Sequence, residues 1–195
     1  MKEIKELVLF LLGFLPWLLF LFIGGHSLED LKIAVLVCLA ASVVFGFGDL
    51  RRGFILSWGT LIFFALCALL VNVAGVTWIA TNMDILANLV LASIIWITLI
   101  AGRPFALQYA QKDLPREQWG DPRLVESCRF ITVVWGVLML LAMCLTILRR
   151  TGAFHAPAWV YPAMSQCLML GGAVFTVLYK RRKRRQREMS GASLR

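Results

Sequence analysis

The chain predicts an all-α fold: a polytopic membrane helix bundle of about six transmembrane helices with both termini cytoplasmic. Three observations lead there. Of 195 residues 60% are hydrophobic and only 16% charged, and mean hydropathy is +0.79, far more apolar than an ordinary soluble domain. The apolar residues fall into runs of near-bilayer length. The basic residues gather between alternate runs.

A helix needs about 20 mostly apolar residues to cross a hydrocarbon core about 30 Å thick, and an open sheet cannot leave its edges there. Six runs approach that length: 7–24, 33–48, 54–76, 85–101, 130–148 and 160–179. The first follows "MKEIKE" as a secretory signal would. It is read as a retained helix, because the run is long and "FIGGHSLED" offers no convincing small-x-small cleavage site. The second run is the shortest, and charge decides that it crosses. With six spans, Lys2, Lys5, Arg51, Arg52, Arg103, Lys112, Arg116, Arg123, Arg129, the seven basic residues of "KRRKRRQR" and Arg195 fall on one side. Only Lys32, Arg149 and Arg150 fall on the other, so 17 of the 20 basic residues lie on the side of the termini. The positive-inside rule makes that side the cytoplasm, and five spans would scatter the same charges over both faces.

Residues 1–179 therefore read as a single transmembrane bundle with a cytoplasmic loop at 102–129, and 180–195 as a basic, disordered cytoplasmic tail. No separate soluble domain fits. The expected location is a membrane, with the N and C termini in the cytoplasm. Trp119 and Trp159 are the clearest tryptophans for headgroup depth. Cys38, Cys67, Cys128, Cys144 and Cys167 contain no CxxC pair and are read as packing residues. Small residues at helical spacing, Ser42 with Gly46, Cys167 with Gly171 and Gly172 with Thr176, suit close helix packing inside the bundle and leave a homo-oligomer open.

No HExxH, GxSxG or phosphate-cradling glycine loop occurs, so the expectation is a non-enzymatic protein without catalytic residues or cofactor. His26, Glu29, Asp30 and His155 lack ligand spacing, and no metal site is expected. No ionisable residue falls near the middle of any run, unlike most ion-coupled transporters, and the interior polar groups are mild: Asn88, Thr98, Thr146, Ser165, Gln166 and Thr176 among them. In the tail, Lys180, Arg181, Arg182, Lys183, Arg184 and Arg185 read as a stop-transfer anchor and candidate contacts to anionic lipid headgroups. Without interleaved aromatics, nucleic acid is not an expected partner.

The loop carries the densest mixture of polar residues. Pro104 can start a short helix in which Phe105 and Tyr109, four apart, share a face on the membrane surface. Arg103, Gln108 and Lys112 would then reach water or phosphate headgroups. The helix should stop before Leu114 and Pro115, since a residue preceding proline disfavours the helical region, and Trp119 would re-anchor the chain.

The arrangement "GRPFALQYAQKDLPREQW", with Trp135 in the following span, resembles the bacterial intracellular septation protein A family of polytopic inner-membrane proteins. Arg103, Pro104, Leu114, Pro115, Trp119 and Trp135 carry the resemblance, and the wide gap between Trp119 and Trp135 marks a distant member. It implies a role in cell division and envelope maintenance through contacts with division or wall-synthesis membrane proteins. Arg103, Pro104, Tyr109, Leu114, Pro115, Arg116, Trp119 and Trp135 are then the candidate interaction residues. The other reading is a carrier or flippase for a lipid-like or weakly polar small molecule, moved along a groove lined by the mild polar residues.

Overall fold

A computed structural model describes residues 15–23, 27–112, 114–152, 157 and 160–192. It is helical throughout, with no strand among the described residues. The helices are α1 (Leu15–Ile23), α2 (Leu28–Arg51), α3 (Ile55–Ala68, prolonged by a π turn Leu69–Val73), α4 (Thr77–Ile100), α5 (Phe105–Gln111), α6 (Pro122–Thr151) and α7 (Val160–Ala192). Four segments, Leu28–Arg51, Ile55–Val73, Thr81–Ile100 and Pro122–Thr151, are long and apolar enough to cross a membrane. Their outer faces expose Val44, Phe45, Ile62, Ile97 and Leu141, which fits a protein whose solvent is lipid.

Polar residues at the ends define the helices more sharply than hydropathy does. α2 starts at a Ser27 cap whose hydroxyl accepts from the Asp30 amide at 3.1 Å, and Glu29 and Asp30 complement its positive end. The 33–48 run thus lies inside a helix of 24 residues. α4 stops at Gly102, whose φ of +70° is open to glycine, while the Arg103 amide returns to the Thr98 carbonyl at 3.0 Å. α6 starts earlier than expected. Asp121 accepts from the Arg123 amide at 2.9 Å and Pro122 occupies the first turn, so most of 122–129 belongs to the helix and not to the loop. The basic run of the tail likewise continues α7 to Ala192, where a disordered tail was expected.

Neighbouring helices run antiparallel. Trp96 of α4 lies over Gly136 of α6, Asn88 meets Thr146, and Asp84 meets Arg150, so numbers fall along one helix as they rise along the other. Between α6 and α7, Trp135 donates to Thr176 Oγ1 at 3.0 Å, and a Cβ on Gly172 would come within 2.7 Å of Leu138. The Gly172–Thr176 face is therefore an internal contact, as small residues between membrane helices usually are. The core draws Trp17 and Phe20 from α1, Phe63 and Phe64 from α3, Ile95 from α4, and Trp135 and Met139 from α6.

Candidate functional site

The first candidate region is the end of the bundle where α5 lies. The apolar face of its short helix is covered by protein and not left open to a membrane surface. Phe105 is fully buried, Pro104 and Ala106 are buried with it, and Tyr109 packs edge-on against Phe54 at 4.9 Å between ring centres. An apolar face that could meet lipid instead packs against α6 and against Phe54 at the start of α3. Two of the three polar residues expected at headgroups are held by the protein instead, while Arg103 is exposed: Gln108 Oε1 accepts from the Ile55 amide at 3.0 Å, capping α3, and Lys112 Nζ reaches Asp49 at 3.0 Å. Burial pushes the Tyr109 hydroxyl up to about 12, with a Ser57 hydrogen bond opposing the shift and the Asp49 carboxylate adding to it.

Of the predicted interaction residues, Arg103, Pro115, Arg116 and Trp119 are exposed, Leu114 is half-buried, and Pro104 and Tyr109 are structural. The Arg116 guanidinium sits 5.8 Å from the Trp119 ring, whose indole donates to the Leu114 carbonyl at 3.0 Å. Trp135 lies in the core, 1% exposed, and is no part of an interaction surface. Lys180, Arg181, Arg182 and Lys183 are exposed, with Lys183 over Tyr179. The side chains of Arg184 and Arg185, like His26, His155, Trp159, Lys2, Lys5 and Asp113, lie outside the described residues.

The second region, at the opposite end, brings together Asn88, Thr146, Ser165 and Gln166, four of the mild polar residues of the carrier reading, beside an ion cluster that the sequence did not suggest. Asp84 was placed one residue before the fourth apolar run, yet α4 begins at Thr77 and carries it inside the helix. Arg150 Nη2 meets Asp84 Oδ1 at 2.6 Å, and the same guanidinium donates to Asn82 Oδ1 at 2.8 Å and to the Thr81 carbonyl. Arg149 approaches the other carboxylate oxygen only to 3.9 Å, too far for a hydrogen bond. Lys32 pairs with Glu29 at 2.8 Å, so of Lys32, Arg149 and Arg150 only Arg149 lacks a close acid of its own. Two arginines in an apolar setting, set against the overall charge bias, were the available signal that an acid would be nearby.

Beside this cluster opens a cavity of about 110 Å³ between α1, α4, α6 and α7. Its lining descends in tiers. Asp84, Arg149 and Tyr161 form the first, Asn88, Thr146 and Ser165 the second, and Leu91, Ala142 and Met169 the third, with Trp17 and Phe20 contributed by α1. Asn88 Nδ2 to Thr146 Oγ1 at 3.3 Å ties the second tier together. Seven residues of helix separate Asp84 from Leu91, so polarity falls from an ion cluster to a hydrocarbon lining over about 10 Å.

Among the described residues no three His, Cys, Asp or Glu side chains gather where a metal could sit, and all five cysteines are free. No protein-family model, curated protein or solved structure matches the chain.

Proposed function

We propose that the protein is a non-enzymatic membrane bundle that binds a lipid-like small molecule in the cavity between α1, α4, α6 and α7 and passes or presents it to one side of the membrane. One observation carries the reading: the tiered lining, charged at its mouth and apolar at its floor, matches a molecule with a polar head and a hydrocarbon body. The bundle belongs, on this reading, to a bacterial inner membrane, with six spans and both termini in the cytoplasm. The cavity mouth then opens toward the outer leaflet, because α4 begins and α6 ends on the sparsely basic side.

The test is photolabelling with an alkyl chain bearing a diazirine, followed by peptide mapping. Label on Leu91, Ala142 or Met169 that an unlabelled amphiphile competes away supports the reading. Label confined to the outer faces of α2 and α3, insensitive to competitor, contradicts it.

A second reading is a septation-like role in division or envelope maintenance, through contacts of the loop and basic tail with division or wall-synthesis membrane proteins or with anionic headgroups. What favours it is the exposed set Arg103, Arg116, Trp119 and Lys180 to Lys183 at one end of the bundle. A photoreactive residue at Trp119 tests it: recovery of division or wall-synthesis proteins supports it, and recovery of lipid alone counts against protein partners. Tyr109 is unsuited to that experiment because its ring is packed against Phe54.

A further inference from the structure

The ion cluster beside the cavity holds two guanidinium groups against one carboxylate, and only one of the two, Arg149, lines the cavity. Arg150 is spent within the protein, held by Asp84, Asn82 and the Thr81 carbonyl. Its charge and that of Asp84 cancel at 2.6 Å. Arg149 remains, on the same face of α6 as Thr146 and Ala142, lining the cavity with no hydrogen bond to another described residue. Ser165 and Gln166 line the same space from α7, also half-buried and without a hydrogen bond to another described residue. Half-buried donors left open beside one uncancelled positive charge fit an anionic group carrying several acceptor oxygens. Below them the lining turns to Leu91, Ala142, Met169, Trp17 and Phe20, and a volume of about 110 Å³ leaves no room for two chains side by side.

We infer that the cavity binds a single-chain amphiphile with a carboxylate or phosphate head. Arg149 is the headgroup contact, Ser165 and Gln166 complete it, and the Asp84–Arg150 pair is a positioning element that keeps Asp84 from competing for Arg149. This inference rests on the proposed binding function and narrows it to a ligand class. An anionic head gains a charge-assisted hydrogen bond that an alcohol of the same chain lacks, a difference of about tenfold in affinity.

The experiment measures saturable binding of oleate, 1-oleoyl-lysophosphatidate and oleyl alcohol to the full chain in nanodiscs of zwitterionic lipid, with empty nanodiscs subtracted. The expected result is about tenfold tighter binding of an acid than of the alcohol. Arg149→Gln should erase that preference, and Arg149→Lys should restore part of it. Tighter binding of oleate points to free fatty acid as the source, and tighter binding of lysophosphatidate to a lipid phosphate head. Equal binding of acid and alcohol by the unaltered protein overturns the inference and leaves the proposed function standing, as does a preference that survives Arg149→Gln. Absence of saturable binding for all three ligands overturns both. The comparison of headgroups on the unaltered protein decides the matter even if an Arg149 variant fails to fold.

Discussion

Arg150 of α6 closes on Asp84 of α4 at 2.6 Å, 66 residues away in the chain, and so pins together the ends of the two antiparallel helices that form one side of the cavity. Both side chains are about one-third exposed, at 30% and 33%, so solvent screens the attraction and an isolated pair of this kind is worth about 1 kcal/mol or less. The further donations to Asn82 and Thr81 convert it into a network, which is harder to loosen.

Asp84→Asn should therefore do more than remove a pair. It leaves Arg149 and Arg150 as uncompensated like charges on successive residues. We expect the thermal unfolding midpoint to drop by a few degrees, and to drop further for Asp84→Asn than for Arg150→Gln, which leaves Arg149 as a partner for the acid. Detergent-phase melting curves of both variants check the order.

Gly136 and Gly171 make an opposed pair. A Cβ at Gly136 would lie 3.0–3.2 Å from the rigid indole of Trp96, whereas a Cβ at Gly171 meets nothing within 4 Å. Gly136→Ala should destabilise by about 1–3 kcal/mol through overpacking. Gly171→Ala should be neutral or stabilise by up to about 1 kcal/mol through helix propensity. Reversal of that order in a denaturation series would contradict the α4–α6 packing.

The buried Trp135–Thr176 hydrogen bond joins α6 to α7 at 3.0 Å. Thr176→Val strands the indole donor and should cost about 1–3 kcal/mol, while adding Trp135→Phe should recover part of the loss, since removing both polar partners costs less than removing one. A double-mutant cycle measures the coupling, and strict additivity would mean that the bond contributes nothing.

The α5 latch has a pH signature. Tyr109 titrates near 12 in the folded protein, above the ordinary tyrosine value of about 10. The folded state thus keeps its proton where the unfolded chain has lost it, so the contribution is fully present below about pH 10 and is lost as pH rises toward 12. Alkaline unfolding monitored by tyrosinate absorbance should be shallower in Tyr109→Phe, with the difference confined to that window.

What was legible in the sequence follows from which forces act locally. Apolar runs locate α2, α3, α4 and α6, because bilayer thickness demands length and composition that only such runs supply. Helix ends were read less well, since capping overrides hydropathy: Asp121-Pro122 starts α6 well before the apolar run at Phe130, a cap signature that the run-based reading passed over. The α5 residues point to a lipid surface because an amphipathic face cannot say whether lipid or protein will cover it, and α6 together with Phe54 is the cover. The cavity was legible only in part: Asn88, Thr146, Ser165 and Gln166 stand out in the sequence as mild polar residues of a groove, but the place where they converge does not. It depends on the register between α4, α6 and α7, which brings Asp84 to Arg150 and Asn88 to Thr146 across 66 and 58 residues, and no local pattern encodes that distance.

The most direct measurement of the cavity's role is native mass spectrometry of the full chain released from uncharged detergent in the presence of oleate, beside Ser165→Phe, which places a ring in the second tier without removing a hydrogen bond to another described residue. The account predicts a discrete one-to-one adduct on the unaltered protein and its loss in Ser165→Phe at an unchanged melting temperature. A broad ladder of adducts that the substitution leaves untouched would mean that the chain merely wears lipid on its outer faces.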